Sequence, residues 1–166
     1  NFGGSLPWVD GTGDLYVVGY GGVSRVWKRS TNVLYSGTGI NYASSGGYVS
    51  ITADGNYVVT AAGAAREHLS YAINHGTQTM SSTGVNFWTL CGDHGVLVSA
   101  SNGKNYFITN DCINNSGLWR ADITLDQAGK TEAQQLAANT LLVNLPWSSN
   151  DMHATGNMIG ALRNWM

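Results

Sequence analysis

The segment Leu90-Cys91-Gly92-Asp93-His94-Gly95 has the residue types that could do covalent chemistry. A cysteine beside glycines and a histidine, at the end of a strand, can be held as a thiolate, which is the nucleophilic form of the side chain. We therefore consider Cys91 and the distant His153 as a candidate catalytic pair. A structural thiol or half of a disulfide is the alternative role of Cys91, and the sequence favours it over catalysis.

The sequence predicts no metal site and no cofactor. Cys91, Asp93 and His94 lack the spacing of a closed tetrahedral site, and neighbouring residues of one strand point to opposite faces. The glycines of residues 19–22 follow a predicted strand, but the lysine and the helix start that a phosphate-binding loop needs do not follow them. Cys91 and Cys112, the two cysteines of the chain, are compatible with one disulfide and an oxidising compartment.

Aromatic side chains are the second group with binding potential. The chain has six Trp and eight Tyr but only 11% charged residues, and such rings can stack on a sugar while their polar tips stay hydrated. We expect exposed Trp27, Trp88 and Trp119 to bind a ligand, with Tyr20 and asparagines of the loops supplying hydrogen bonds. Packing in the core is the alternative role of each ring.

The composition argues against two classes of partner. Eight basic and ten acidic side chains give a net charge of −2, so no basic surface is expected to bind the phosphates of a nucleic acid. No run reaches the roughly 18 apolar residues of a membrane span. The start, Asn1-Phe2-Gly3-Gly4, has neither an initiator Met nor a signal-peptide pattern. We expect a processed N-terminus and an extracellular or cell-surface location.

Strands are the predicted elements that position these residues. The strongest local pattern is a hairpin over residues 47–60, in which Asp54-Gly55-Asn56 separates two alternating apolar runs and suits a tight turn. Other predicted strands are short alternating runs bounded by turn residues: Leu15–Val18, Val23–Lys28, Val33–Tyr35, Val85–Cys91, Gly95–Ser99 and Asn105–Thr109.

This strand pattern recurs with a period near 40 residues, which is typical of propeller blades. Tyr16 corresponds to Tyr57, 41 positions later, and Tyr57 to Val96, another 39 positions on. Trp8–Val18, Val49–Val59 and Phe87–Leu90 resemble β-propeller repeat proteins, including the Trp-rich lectin propellers of the tectonin type. The resemblance spans residues 5–123 and implies a mainly β fold of antiparallel, propeller-blade-like sheet repeats.

Residues 61–76 leave a second fold open. They contain helix formers, with apolar positions at Ala65, Leu69 and Ile73 and a terminal glycine suited to a C-cap. A helix here makes the chain α+β, or α/β and flavodoxin-like. Cys91 with His153 and the segment Gly156–Trp165 resembles class I glutamine-amidotransferase-like domains, which implies a doubly wound α/β sheet and catalysis by Cys91.

A chain of 166 residues usually forms one domain, and we expect one domain over 1–166 with a helical C-terminal segment at 124–166. Lys130–Ala138 has the strongest helical composition, and a last short helix is predicted from His153 to Trp165. Leu141–Leu145 is predicted to be a buried strand or an extension of the helix, stopped by Pro146.

These patterns favour an extracellular binding or assembly module over an enzyme. The expected partner is a glycan or another surface polymer, recognised through exposed aromatics. One alternative is an amidotransferase-like α/β domain, active or degenerate. The other is a structural subunit of a surface filament or virion, in which low charge and exposed sheet edges favour binding to copies of the chain itself.

Overall fold

The computed structural model describes residues 8–20, 23–41, 48–61, 68–90, 96–99, 104–109 and 117–144. Three sheets and one short helix form within these ranges. The first sheet contains β1 (Trp8–Val9), β2 (Leu15–Tyr20), β3 (Val23–Lys28), β4 (Val33–Leu34) and β6 (Ile40–Asn41). The second contains β5 (Ser36–Gly37), β7 (Tyr48–Ile51), β8 (Tyr57–Ala61), β9 (Leu69–Asn74) and β10 (Thr79–Asn86). The third contains β11 (Val96–Ser99), β12 (Asn105–Thr109), β13 (Gly117–Ala121) and β14 (Thr140–Asn144), and α1 (Glu132–Ala138) precedes β14.

Each sheet is built on four consecutive antiparallel strands: β1 to β4, β7 to β10 and β11 to β14. The short strand β5 adds the single parallel pairing seen among the described residues, along the edge of β10. The first strands of the three sheets are neighbours, because β7 lies beside both β1 and β11. The predicted mainly β, antiparallel fold is therefore confirmed for the described residues.

The hairpin predicted over residues 47–60 is present as β7 and β8, with Ile51 opposite Val58. Gly55 has a φ of +71° in the turn, a conformation that a residue with a Cβ adopts at a cost. The amide of Gly55 donates to the carbonyl of Thr52 at 2.9 Å and closes the turn. The predicted strand boundaries at Val23–Lys28 and Asn105–Thr109 also agree with β3 and β12.

Two apolar cores lie on opposite sides of the second sheet. Val58 and Val59 are both almost fully buried and, as neighbours on β8, point to opposite faces. Val58 belongs to a core shared with the first sheet, where Val17 and Val26 lie, and Val59 to a core with Trp119 of the third sheet. The second sheet is therefore covered on both faces, which explains its consecutive apolar residues.

The alternative of a helix over residues 61–76 is wrong where the structure describes it. Leu69–Asn74 forms β9, which pairs antiparallel with β8 and β10. Ser70 and Ile73, three positions apart, are buried on opposite faces of β9, so pairing in a sheet covered on both sides overrides the local helix propensity. The doubly wound parallel sheet is likewise not the fold of the described residues.

The prediction of a strand over Val85–Cys91 is correct only at its start. β10 ends at Asn86, and Phe87–Leu90 leave the sheet as irregular chain. The pairing of β10 with β9 is already shifted between Ser82 and Asn86, and the amide of Asn86 is bound by the carboxylate of Asp126 at 3.0 Å. These contacts turn the buried rings of Phe87 and Trp88 into the core.

The helical segment predicted at 124–166 is not confirmed, since residues 124–144 contain one seven-residue helix, α1, followed by a strand. Thr131 is the N-cap of α1, and it forms a reciprocal capping box with Gln134. Residues 141–144 belong to β14, which is exposed, pairs with β13 and is the edge strand of the third sheet among the described residues, so the predicted burial and the predicted helix extension are wrong. The helix predicted from His153 to Trp165 lies outside the described residues.

Candidate ligand-binding cleft

A polar cleft of about 380 Å³ opens between the second and third sheets. The turn between β7 and β8 provides one wall, and the start of β12, the end of β13 and the segment from α1 to β14 provide the other. The side chains with hydrogen-bonding or charged groups in its lining are Thr52, Asp54, Tyr57, Lys104, Asn105, Arg120, Asp122, Thr124 and Thr140.

Asp54 is held rigidly in the β7–β8 turn. Its carboxylate accepts hydrogen bonds from the Thr52 hydroxyl at 2.5 Å and from the amide and side chain of Asn56 at 3.0 and 2.9 Å. Burial raises the pKa of Asp54, but these hydrogen bonds outweigh burial and hold the pKa below its ordinary value. Asp54 is therefore a carboxylate at neutral pH, with its oxygens already bonded to its own turn.

Asp122 is bound within its own turn in the same way. Its Oδ1 accepts the amide of Thr124 at 2.9 Å and the Thr124 hydroxyl at 2.6 Å. This turn follows β13 directly, so the register of β13 against β12 determines where the carboxylate lies. Both acidic residues of the cleft are thus fixed by short local hydrogen bonds.

Arg120 is an exposed cation on β13, opposite Thr140 of β14. Its Nη2 donates to the Thr140 hydroxyl at 3.1 Å. Lys104, just before β12, is a second exposed cation in the lining. The formal charge of the cleft is therefore zero, from two cations, Lys104 and Arg120, and two carboxylates, Asp54 and Asp122.

Asn105 and Tyr57 add neutral groups to the lining. The buried Oδ1 of Asn105 accepts no hydrogen bond within the part of the chain that the structure describes. Such atoms are rare in folded proteins, because an unpaired buried acceptor is unfavourable. The half-buried ring of Tyr57 packs against the core beside Val59 and also lines the cleft, so it offers an aromatic edge or face next to polar groups.

One wall of the cleft depends on the buried Gln135 of α1. Its Oε1 accepts the Thr89 amide at 3.0 Å, and its Nε2 donates to the Thr89 hydroxyl at 2.7 Å and to the Lys130 carbonyl at 3.1 Å. These bonds fasten α1 to the segment after β10. Ala138, the last residue of α1, lines the cleft, so Gln135 positions this part of the wall.

The structure places two of the predicted binding aromatics in the core instead of on the surface. Trp88 is 0% exposed and Trp119 is 4% exposed. Their ring centroids are 5.3 Å apart and tilted by 53°, within the core between the second and third sheets. The expectation that these two rings are exposed is therefore wrong, because apolar burial of a large ring is more favourable than its exposure.

Trp27 is the predicted aromatic that stays partly accessible. It lies on β3 of the first sheet, 5.6 Å from the ring of Tyr16, and its Nε1 donates to Asn32 at 3.1 Å. It does not line the cleft. Tyr20 is at the end of β2, opposite Val23, and its side chain lies outside the part of the chain that the structure describes.

The predicted thiol chemistry cannot be placed, since Cys91, Cys112 and His153 all lie outside the described residues. Within the described ranges, no group of three His, Cys, Asp or Glu side chains could hold a metal ion. No helix in the same ranges has the length and apolar character to cross a membrane.

The residues of the cleft were missed from the sequence, apart from the recognised turn around Asp54. Lys104 and Asn105 are neighbours in the chain, and Arg120 and Asp122 are separated by one residue. Their approach to the β7–β8 turn depends on the packing of two sheets. The signal that the sequence offered was its low content of charged residues, 11%. In such a chain, four charged side chains in one cleft are a high local number.

Three comparisons with known proteins identified no relative of this chain. A scan against protein-family models, a search of curated proteins and a search of solved structures each found no match. The geometry of the described residues therefore carries the functional argument.

Proposed function

We propose that this chain is a carbohydrate-binding module that acts outside the cell or on its surface and binds a glycan in the cleft between the second and third sheets. The observation that carries the proposal is the lining of the cleft. It combines the ring of Tyr57 with amide, hydroxyl, cationic and carboxylate groups in one concave site.

Sugars present many hydroxyl groups, each of which can donate and accept a hydrogen bond, together with apolar C–H faces. The cleft offers donors, such as Arg120, an acceptor in Asn105 and an aromatic ring in Tyr57. Its volume of about 380 Å³ is within the range of small-molecule sites, about 300–1,000 Å³. The lining has two cations, Lys104 and Arg120, and is not the extended basic surface that binds the phosphates of a nucleic acid.

The scaffold is consistent with the proposed resemblance to propeller lectins. Three antiparallel units of four strands have their first strands side by side, and the second unit is covered on both faces. We propose that these units are propeller-like blades. The proposed mode of binding differs from the expectation, because Tyr57 takes the role assigned to Trp88 and Trp119.

The test is a glycan-binding screen followed by calorimetric titration of the best ligand against matched variants. Tyr57→Ala is expected to reduce affinity at least tenfold, and Tyr57→Phe to retain most of it. Tyr16→Ala is the control, because Tyr16 is the corresponding tyrosine of the first sheet and is outside the cleft. Circular dichroism confirms that each variant is folded.

Two results would overturn this proposal. One is a screen without a ligand. The other is loss of binding in Tyr16→Ala with full binding in Tyr57→Ala, which would move recognition to the Tyr16 and Trp27 face of the first sheet.

A second candidate function, self-assembly, is favoured by the edge strand β14. Leu141, Leu142 and Val143 are 44–47% exposed in succession, so apolar side chains extend from both faces of the edge. Exposed apolar edges favour pairing with another chain. Light scattering over a range of concentrations is expected to show association that Leu142→Lys reduces. A monomer at every concentration would contradict this function.

A further inference from the structure

We infer that the glycan bound in this cleft carries a carboxylate, as uronic and sialic acid units do, and that Arg120 is the residue that recognises it. This inference rests on the proposed function, and it names the class of sugar. It follows from which hydrogen-bonding groups of the cleft are already used within the protein and which are not.

The two acidic residues of the cleft are engaged in their own turns. Asp54 accepts three hydrogen bonds from Thr52 and Asn56, and Asp122 accepts two from Thr124. These bonds keep the carboxylates in place, and they use both oxygens of Asp54 and Oδ1 of Asp122.

Arg120 is engaged far less. Its one hydrogen bond in the described part of the chain goes to the neutral hydroxyl of Thr140, and no described carboxylate forms an ion pair with it. A guanidinium has five N–H donors in a planar fork, so most of its donors remain for a ligand. A carboxylate fits this fork with two parallel hydrogen bonds, which are stronger than bonds to neutral oxygens.

Asn105 needs a hydrogen-bond donor, whereas Arg120 needs an acceptor. The buried Oδ1 of Asn105 lacks a donor among the described residues, and a ring hydroxyl of a sugar could provide one. Because Asn105 is paired with Ala121 and not with Arg120, the two side chains leave opposite faces of the third sheet, and different units of an acidic glycan would meet them. Lys104, also in the lining, adds a second positive charge to the cleft.

The experiment compares charged and neutral forms of the same sugars. The probes are oligosaccharides of galacturonan, alginate and hyaluronan, together with sialyllactose, each as the free acid and as the methyl ester. Neutral galacto-oligosaccharides complete the set. Calorimetry with the intact chain is expected to show at least tenfold tighter binding of one free acid than of its ester.

The variants locate the effect. Arg120→Gln is expected to abolish the preference for the acid over its ester, and Arg120→Lys to retain part of it. Arg29→Gln is the control, since Arg29 is an exposed arginine in a turn of the first sheet. A structural role of Arg120 would lower the affinity for acid and ester alike, and this result would overturn the inference.

The remaining outcomes separate the two proposals. If neutral sugars and esters bind as tightly as the acids, the inference about the carboxylate is wrong while the proposed function stands. If none of the probes binds and a wider glycan screen also fails, both are wrong.

Discussion

Substitution of Gln135 by Leu should loosen the wall of the cleft that α1 provides. Leucine has nearly the same volume as glutamine, so the change removes hydrogen bonds without opening a cavity. The bonds lost are those from Gln135 to the amide and hydroxyl of Thr89 and to the carbonyl of Lys130, at 2.7–3.1 Å. Because Gln135 is 1% exposed, water has little access to replace them.

The magnitude follows from the groups left without a partner. Each buried polar group that loses its hydrogen bond costs about 1–3 kcal/mol. Thr89 is half-buried and Lys130 is exposed, so all three groups, the amide and hydroxyl of Thr89 and the carbonyl of Lys130, belong at the lower end of that range. We expect Gln135→Leu to lower the free energy of unfolding by about 2–4 kcal/mol.

Urea denaturation at constant m-value measures this change. Gln134→Ala is the matched control, because Gln134 is the neighbouring glutamine and its side chain makes only the exposed capping bond to Thr131. The control should lose about 1 kcal/mol or less. Equal losses in the two variants would refute the view that Gln135 fastens α1 to the Thr89 segment.

Three further predictions concern stability. Gly55→Ala should lower the free energy of unfolding by about 1–2 kcal/mol, because φ is +71° and a Cβ would lie 2.8 Å from Leu15. A melting temperature unchanged from wild type would contradict this. In urea denaturation, Trp88→Ala should lower the free energy of unfolding by about 3–5 kcal/mol and Trp27→Ala by clearly less. The reverse order would contradict the placement of Trp88 in the core. Burial lowers the pKa of His68 from 6.5 to about 4, so the unfolded chain takes up the proton first as pH falls. Stability should drop by roughly 3 kcal/mol between pH 6.5 and 4, and a His68→Gln variant with the same drop would show that another group is responsible.

The strands that the sequence predicted correctly have strong local patterns. The β7–β8 hairpin has alternating apolar residues around a turn that needs Gly55 at positive φ, and β3 alternates through Val26 with Ser24 also inward. Local chemistry of this kind leaves few other structures open. The predicted period of about 40 residues fits the start of the first two four-stranded units, Trp8 and Tyr48, but the third unit begins at Val96, about 48 residues after Tyr48.

The elements that were missed depend on contacts distant in sequence. β9 has the composition of a helix but pairs with two neighbouring strands, and β10 contains the polar run Ser81-Ser82-Thr83 that no apolar pattern marks. Trp88 and Trp119 could equally be surface or core residues until two sheets are packed together. The cleft was beyond sequence analysis for the same reason, because Asp54 and Arg120 approach one another only in the folded chain.

The most direct test of the central claim is an NMR titration of the labelled protein with a glycan that binds. If the ligand occupies the cleft between the second and third sheets, the largest amide shifts will be at Tyr57, Asn105 and residues 120–124. Large shifts around Trp27 on the first sheet, with none at those positions, would contradict the account.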